Sequence, residues 1–246
     1  MTEKEKYAVE WNESAQYFYD NNSYTQLTAH IKHFKRVLEI GCGTGQSTLS
    51  LLKAGHSVVA IDQNPHCIKI AKKLVSDAGF DIKESLKDLA PRTVFFLEKD
   101  ITDSGFLEMI CASLSIDIVV CWNIGSYWDK QKDADVIPKM LEYGLTADQI
   151  QQNMESSYAE LVIWTACKIA KGMHCAVHIV DRGTHPINRF NDPYYMCLKK
   201  EFNYKRIRYA NIKSTTLSSS GRLLITEGQV NKERELPIIF ISILLK

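Results

Sequence analysis

Three glycines stand at alternate positions in Val37-Leu38-Glu39-Ile40-Gly41-Cys42-Gly43-Thr44-Gly45-Gln46-Ser47. A β-branched run, Arg36–Ile40, leads into them, and a helical pattern, Thr44–Ala54, follows. Glycine permits a tight turn and lets a ligand approach the backbone where a Cβ would stand in the way. The start of the next helix adds free N–H groups and a partial positive charge. This is the chemistry of a loop that holds a nucleotide-like cofactor. A dinucleotide fingerprint, however, needs glycine where this chain has Gln46.

Glu39 narrows the choice further. Facing a diphosphate, its carboxylate would cost about 1 kcal/mol in water and more when partly buried. A ligand with an ammonium group would gain instead. S-adenosylmethionine (SAM) carries an ammonium, a carboxylate and a sulfonium, and no phosphate. Two more carboxylates fit such a ligand. Asp62 ends the run Ser57–Ile61, 21 positions after Gly41. There it can accept both ribose hydroxyl protons. Asp100 follows the run Thr93–Leu97 and can accept the adenine amino proton, with Ile101 offering the ring an apolar face or a backbone N–H.

The elements that must position these groups alternate in type. The apolar runs 36–40, 57–61, 93–97, 117–121, 173–180, 205–212 and 238–245 read as strands buried on both faces. Helical patterns lie between them. Asn64-Pro65 is an N-cap followed by proline at the first helical position. Asp103 is a candidate cap for a helix reaching Leu114. Thr146-Ala147-Asp148-Gln149 is a capping box, and the helix behind it is expected to run to Lys171. Alternating strands and helices predict a doubly wound α/β sheet. We expect one domain over 1–246, with an aromatic-rich helical lid at 1–35, a cofactor half at 36–125 and a substrate half at 126–246. Inserts are expected at 181–204 and 213–236.

Composition excludes other classes. The chain has 246 residues, 45% hydrophobic and 24% charged, and a net charge of +1, so neither wholesale disorder nor a global nucleic-acid-binding charge is indicated. No apolar run approaches a membrane span. With the charged start MTEKEKYAVEWNES, a signal peptide is not expected. Seven cysteines without a CxxC pair fit reduced thiols in a cytoplasmic setting, and no metal site is expected. Nothing in the sequence specifies an oligomeric state.

On these residues the chain resembles the class I SAM-dependent methyltransferases. The matching positions are Glu39-Ile40-Gly41-Cys42-Gly43-Thr44-Gly45, Asp62, Asp100 and Cys121-Trp122-Asn123-Ile124-Gly125. The resemblance implies a Rossmann-like seven-stranded sheet of order 3-2-1-4-5-7-6, its last strand antiparallel, with helices on both faces. It implies SAM at the carboxyl ends of strands one to four, held by Glu39, Gly41, Cys42, Gly43, Gly45, Asp62, Gln63, Asp100, Ile101 and Asn123. It also places the segment after the fourth strand beside the methyl group. Methyltransferases acting on bases or glutamine often show Asn-Pro-Pro-Tyr there. Ile124-Gly125 replaces the two prolines, which argues against those branches.

Methyl transfer asks mainly for orientation, and for a base when the acceptor is protonated. Asn123 and Tyr127 are the candidates for holding a polar acceptor atom. His185, beside Asp181, is the candidate base. Tyr127, Trp128, Tyr194 and Tyr195 are candidate walls for a cationic group. Charge is uneven: residues 133–160 carry six acids and one lysine, and residues 182–213 carry eight basic and two acidic groups. Lys199–Arg208 mixes cations with aromatics, a pattern compatible with RNA, but a solvated outer strand explains it equally. The expected function is transfer of a methyl group from SAM to a nitrogen or oxygen of a small molecule. RNA or protein acceptors, or a SAM-binding module without catalysis, are the alternatives.

Overall fold

The computed structural model describes residues 1–103, 105–106, 115–122, 129–192, 194–217, 225–226, 229–230 and 235–246. Two helices, α1 (Glu3–Asp20) and α2 (Ser23–Ile31), precede the first strand. Next come β1 (Arg36–Ile40), α3 (Gln46–Lys53), β2 (Ser57–Asp62), α4 (Pro65–Asp77), β3 (Asp81–Ile82), β4 (Thr93–Glu98) and β5 (Ile118–Trp122). The rest of the chain holds α5 (Asp133–Tyr143), α6 (Ala147–Gln152), α7 (Met154–Gly172), β6 (Ala176–Gly183), α8 (Tyr195–Glu201), β7 (Ile207–Leu217) and β10 (Glu235–Leu245). A short hairpin, β8 (Ile225–Thr226) with β9 (Gln229–Val230), lies in the expected insert.

The main sheet has eight strands in the order β3-β4-β2-β1-β5-β6-β10-β7. The strand β3 was not anticipated; without it the order is the expected 3-2-1-4-5-7-6. β10 runs antiparallel to both β6 and β7, and the other pairings are parallel. Two cores cover the sheet. One gathers Phe18, Leu27 and Ile31 of α1 and α2 with Leu51, Leu52, Ala71 and Val75 of α3 and α4. The other gathers Val136 and Met140 of α5 with Leu161, Ala166 and Ile169 of α7 and Leu198 of α8.

Local chemistry fixes several boundaries. Asn64 caps α4, accepting from His66 N at 3.0 Å. The Thr146 capping box starts α6 as expected. The helix behind it does not run unbroken: Asn153, at φ −153° and ψ 82°, ends α6 and caps α7 by accepting from Ser156 N. β6 starts three residues later than expected because Met173–Cys175 form the turn leaving α7, with His174 at φ 53°. The expected helix after Asp103 falls largely outside the described residues.

A polar ladder crosses the otherwise apolar layer under α2. Trp122 Nε1 donates to His178 Nδ1 at 2.9 Å, His178 Nε2 meets Ser242 Oγ at 2.7 Å, and Ser242 Oγ meets His30 Nδ1 at 3.0 Å. An indole nitrogen only donates, so His178 Nδ1 accepts and its proton sits on Nε2. Burial pushes the His178 pKa down to about 3, so the ring is neutral. Replacing His178 by Leu leaves Trp122 Nε1 without an acceptor and removes a partner from Ser242. We expect a loss of about 2–4 kcal/mol in urea denaturation, since each buried unsatisfied group costs ~1–3 kcal/mol. Adding Trp122→Phe should recover part of it; no loss in the single variant would show that the ladder does not stabilise the fold.

Candidate functional site

The glycine loop is tied to β2 as it leaves β1. Gly41 N and Cys42 N both donate to Ile61 O, at 2.8 and 2.9 Å. Gly43 N donates to Asp62 Oδ2 at 2.9 Å. All three glycines have positive φ: 71°, 53° and 94°. Their duties differ. A Cβ on Gly43 would sit 2.2 Å from Trp11 Nε1, and one on Gly45 would sit 2.8 Å from Ala71 Cα. Gly45 thus lets α3 close on α4, and Gly43 lets α1 lie on the loop.

A cavity opens at the carboxyl ends of β1, β2 and β4. It is lined by Ile40, Gly41 and Gly43, by Ile61, Asp62, Gln63 and Asn64, and by Lys99, Asp100 and Ile101. Tyr7 and Trp11 of α1 roof it, and Tyr158 and Val162 of α7 close its other side. Six expected residues therefore meet around one space: Gly41, Gly43, Asp62, Gln63, Asp100 and Ile101. Asp62 is held by backbone, with Oδ1 accepting from Asn64 N at 2.8 Å and Oδ2 from Gly43 N. Burial pushes its pKa up to about 6, and those backbone N–H groups oppose the shift. Asp100 Oδ1 accepts from Thr102 N and Thr102 Oγ1, and Oδ2 faces Lys132 Nζ at 3.4 Å. The Tyr158 hydroxyl is pushed well above its ordinary pKa by burial and by the nearby Asp100.

Three expected contacts are corrected. Glu39 does not line the cavity. Its two oxygens accept from Ser47 Oγ at 2.5 Å and Thr48 Oγ1 at 2.6 Å, in the first turn of α3. Successive strand side chains point to opposite faces, so Ile40 reaches the cavity and Glu39 faces α3. Burial raises the Glu39 pKa to about 7, against those two hydrogen bonds. Cys42 is buried, with Sγ directed at Gly43 O. Gly45 packs on α4. Neither Cys42 nor Gly45 lines the cavity.

On the acceptor side, Asn123, Tyr127 and Trp128 lie outside the described residues. His185 is exposed, its Nδ1 2.9 Å from Thr184 Oγ1, and does not line the cavity. Asp181 stands near the Tyr195 hydroxyl at 3.5 Å. Tyr195 is buried beside the apolar wall of α7, away from the cavity lining. The sequence reading missed Asn64, Lys99, Tyr158 and Val162 as lining residues. Tyr7 and Trp11 carried a signal, an aromatic-rich segment ahead of the first strand, without a partner to assign to it.

The glycine loop, the carboxylate after β2 and the carboxylate after β4 surround one cavity at the carboxyl edge of this sheet. A family model described as a methyltransferase domain matches residues 37–143, from β1 to the end of α5. That span is similar to a methyltransferase domain, in keeping with the glycine loop and the two carboxylates. The chain is 32% identical over 93 residues to a mitochondrial ribosomal RNA small subunit methyltransferase of Arabidopsis thaliana, covering 37% of this chain and 22% of that protein. It is 30% identical over 97 residues to a Methanosphaera stadtmanae protein named "Probable ribosomal RNA small subunit methyltransferase A", covering 39% and 36%. The chain thus spans about a fifth to a third of the length of these curated relatives. The fold is shared with the YcgJ protein of Bacillus subtilis, at a TM-score of 0.52 and 11% identity over 92% of this chain and 98% of that one. Among the described residues no helix is long and apolar enough to cross a membrane.

The different duties of the glycines are testable. Gly55, at φ 97°, has nothing within 4 Å of a built Cβ. Gly55→Ala should cost only the left-handed backbone penalty, ~1–2 kcal/mol. Gly45→Ala should cost about 1–3 kcal/mol more, from overpacking against α4. Equal thermal and urea stabilities for the two variants would remove Gly45 from the α3–α4 contact.

Proposed function

We propose that this chain transfers a methyl group from SAM to a nitrogen or oxygen atom of a small molecule. The observation that carries the reading is the convergence of Gly41, Gly43, Asp62, Asp100 and Ile101 on one roofed cavity. The donor set suits SAM. Asp62 presents a carboxylate whose remaining lone pairs can take ribose hydroxyl protons. Ile40, Ile61, Ile101 and Val162 give apolar walls for a base, and Asp100 can take its amino proton. The glycines leave the backbone open to the amino-acid end. When bound, SAM supplies an electrophilic methyl group on a sulfonium. The protein's part is to aim that methyl at the acceptor and to exclude water, and orientation lowers such a barrier by up to ~7–11 kcal/mol. The faces of Tyr7 and Trp11 favour a cation beneath them.

The roof supports a small acceptor, because α1 covers the cavity that a macromolecular substrate would need to reach. The basic segment supports it too. Arg206 pairs with Lys246, and Ile207 lies level with Leu245 and Val177, at the amino end of β6. Lys205, Arg206 and Arg208 therefore flank the opposite edge of the sheet from the cavity. An RNA acceptor is the second reading, favoured by the ribosomal RNA methyltransferases among the relatives. We place Asn123 and Tyr127 at the acceptor from their position after β5, and keep His185 as a base contributed by its loop.

Turnover separates the readings. Incubated with SAM, the protein should form S-adenosylhomocysteine (SAH) with the dialysable, nuclease-treated fraction of a cell extract. Turnover with purified RNA alone would favour the second reading, and binding of SAM without turnover on either would leave a non-catalytic module.

Calorimetry tests the site. Asp62→Ala should weaken SAH binding by about 10- to 150-fold, the worth of a hydrogen bond to a charged group. Affinity should also depend on pH. Ribose hydroxyl donors favour ionised Asp62, so binding lowers its pKa from about 6 and releases a proton. Affinity is then full above pH 7 and falls as pH drops through 6, towards tenfold per unit. Asp62→Asn should give a flat profile; a flat wild-type profile would take Asp62 out of the contact.

A further inference from the structure

Cations gather on the edge of the sheet opposite the cavity, and the topology brings them there from separate segments. The turn from α2 into β1 carries Lys32, Lys35 and Arg36, all exposed. β7 opens beside Lys205, Arg206 and Arg208, also exposed. Between them stands Lys246 at the end of β10. Its backbone pairs with Arg206 at 2.9 and 3.0 Å, and its Nζ lies 4.8 Å from the centre of the Phe34 ring. Lys171, in the last turn of α7, reaches the same edge because Met173–Cys175 turn into the amino end of β6. The strands from β1 to β7 lie in the order β1-β5-β6-β10-β7, so the row runs roughly 19 Å at ~4.8 Å per strand spacing.

Little on this edge neutralises the row. Asp117 lies within it and is already engaged. Its Oδ2 accepts from Lys35 N and Arg36 N, each at 2.9 Å, and its Oδ1 meets the Arg36 guanidinium at 3.3 Å. Glu201, four residues before Lys205, is turned onto Trp164, whose Nε1 donates to it at 2.6 Å. Among the described residues, Lys32, Lys35, Lys171, Lys205, Arg206, Arg208 and Lys246 have no carboxylate side chain within 4.0 Å. The whole chain carries a net charge of +1, so the acids that balance these cations lie elsewhere on the molecule. Like charges held side by side repel, and a polyanion laid along them recovers that energy and releases its own counterions.

The kind of polyanion follows from what the edge lacks. Seating on a bilayer asks for apolar side chains to insert, and the exposed large apolar residues Met1, Val9, Leu141, Phe190 and Met196 lie in none of these segments. A single-stranded nucleic acid asks for exposed aromatics on which bases stack, but Phe34 and Tyr209 are half-buried and Tyr204 is buried. A double helix asks for neither, and its backbone offers one charge per ~1.7 Å of axis. We propose that this edge is a docking surface for the phosphate backbone of a double-stranded nucleic acid, held by Lys32 and Lys35 at one end and by Lys205, Arg206, Arg208 and Lys246 at the other. The docked duplex is not the methyl acceptor. Arg36 and Ile40 stand at opposite ends of β1, ~13 Å apart, and Ile40 is the one that lines the cavity. The inference stands apart from the assignment of SAM to that cavity.

Fluorescence anisotropy of a labelled RNA duplex of about 20 base pairs, titrated at salt from roughly 50 to 200 mM, tests the surface. The logarithm of affinity should fall against the logarithm of salt with a slope of about −4 to −6, at ~0.9 per phosphate contact. Lys32→Gln with Lys35→Gln should shrink that slope by about 2, and Lys205→Gln with Arg206→Gln and Arg208→Gln by about 3. All five side chains are exposed, so the variants should keep the wild-type thermal midpoint. Lys6→Gln with Lys69→Gln removes the same charge as the first pair, from exposed positions on α1 and α4, and should leave the slope unchanged. Tighter binding of the RNA or of a DNA duplex of equal length names the source, and either supports the surface. No binding at the lowest salt overturns it, as does an equal loss in the Lys6 and Lys69 variant. Stronger binding to anionic vesicles, to poly-glutamate or to a single strand overturns the duplex as partner.

Discussion

A buried carboxylate organises this site from underneath. Glu39 sits in the middle of the sheet edge, on the face that α3 covers, and both of its oxygens are taken by hydroxyls of the first turn of α3. The strand and the helix on either side of the glycine loop are thereby pinned to each other. With its two ends fixed, the loop has little freedom, and its N–H groups meet β2 at Ile61 and Asp62. The cost is a carboxyl group in a poor solvent, visible as a pKa near 7. Because the folded value lies above the unfolded one, this group favours the native state most at low pH. That contribution declines as pH rises towards 7. The site therefore sits at the edge of ionisation of the group that holds it.

From that anchor the rest follows by adjacency. β1 is central, so the strands that flank it deliver Asp62 on one side and the end of β5 on the other. Asp100 arrives from β4, one strand further out. The parallel direction of these strands puts all their carboxyl ends on one edge, where a crevice forms in open α/β sheets. The antiparallel return of β10 between β6 and β7 completes the far side without adding a lining residue. The helices α1 and α7 then close the crevice from its two faces, one bringing Tyr7 and Trp11, the other Tyr158 and Val162.

Much of this was legible in the residues, for physical reasons. Apolar runs mark all seven long strands among the described residues; six lie inside the sheet, while β7, expected to be buried on both faces, is an edge strand of exposed and half-buried residues. Asn64-Pro65 and the Thr146 box are local signals, complete within four residues, and both start helices where expected. The break at Asn153 was missed because a single non-helical residue between two good helical patterns leaves the periodicity almost intact. β3, two residues long, is defined by its neighbour β4 and by nothing in itself. Glu39 could have been placed correctly: if Val37 packs under α3, alternation sends Glu39 the same way. The expected electrostatic preference for an ammonium overlooked that period of two. Tyr7, Trp11, Tyr158 and Val162 lie far in sequence from the glycines, and no pattern along the chain says which helices will meet over a crevice.

The two halves of the chain are coupled more closely than their separate roles require. Trp122 ends β5, and its indole is fixed by a neutral histidine that no solvent reaches. That histidine shares Ser242 with His30 of α2, the helix that follows the roof helix in sequence. A buried chain of this kind contributes little net stability when fully satisfied, but it admits one arrangement of donors and acceptors. Strand register in β5, β6 and β10 and the placement of α2 are therefore set together. The amino-terminal helices thus act on the cavity edge twice, from above through α1 and from within the core through α2. A sheet that needed only to hold a cofactor would be served by apolar residues at His178 and Ser242. Retaining polar groups there holds the strand end at Trp122 to one position at the carboxyl edge of the sheet.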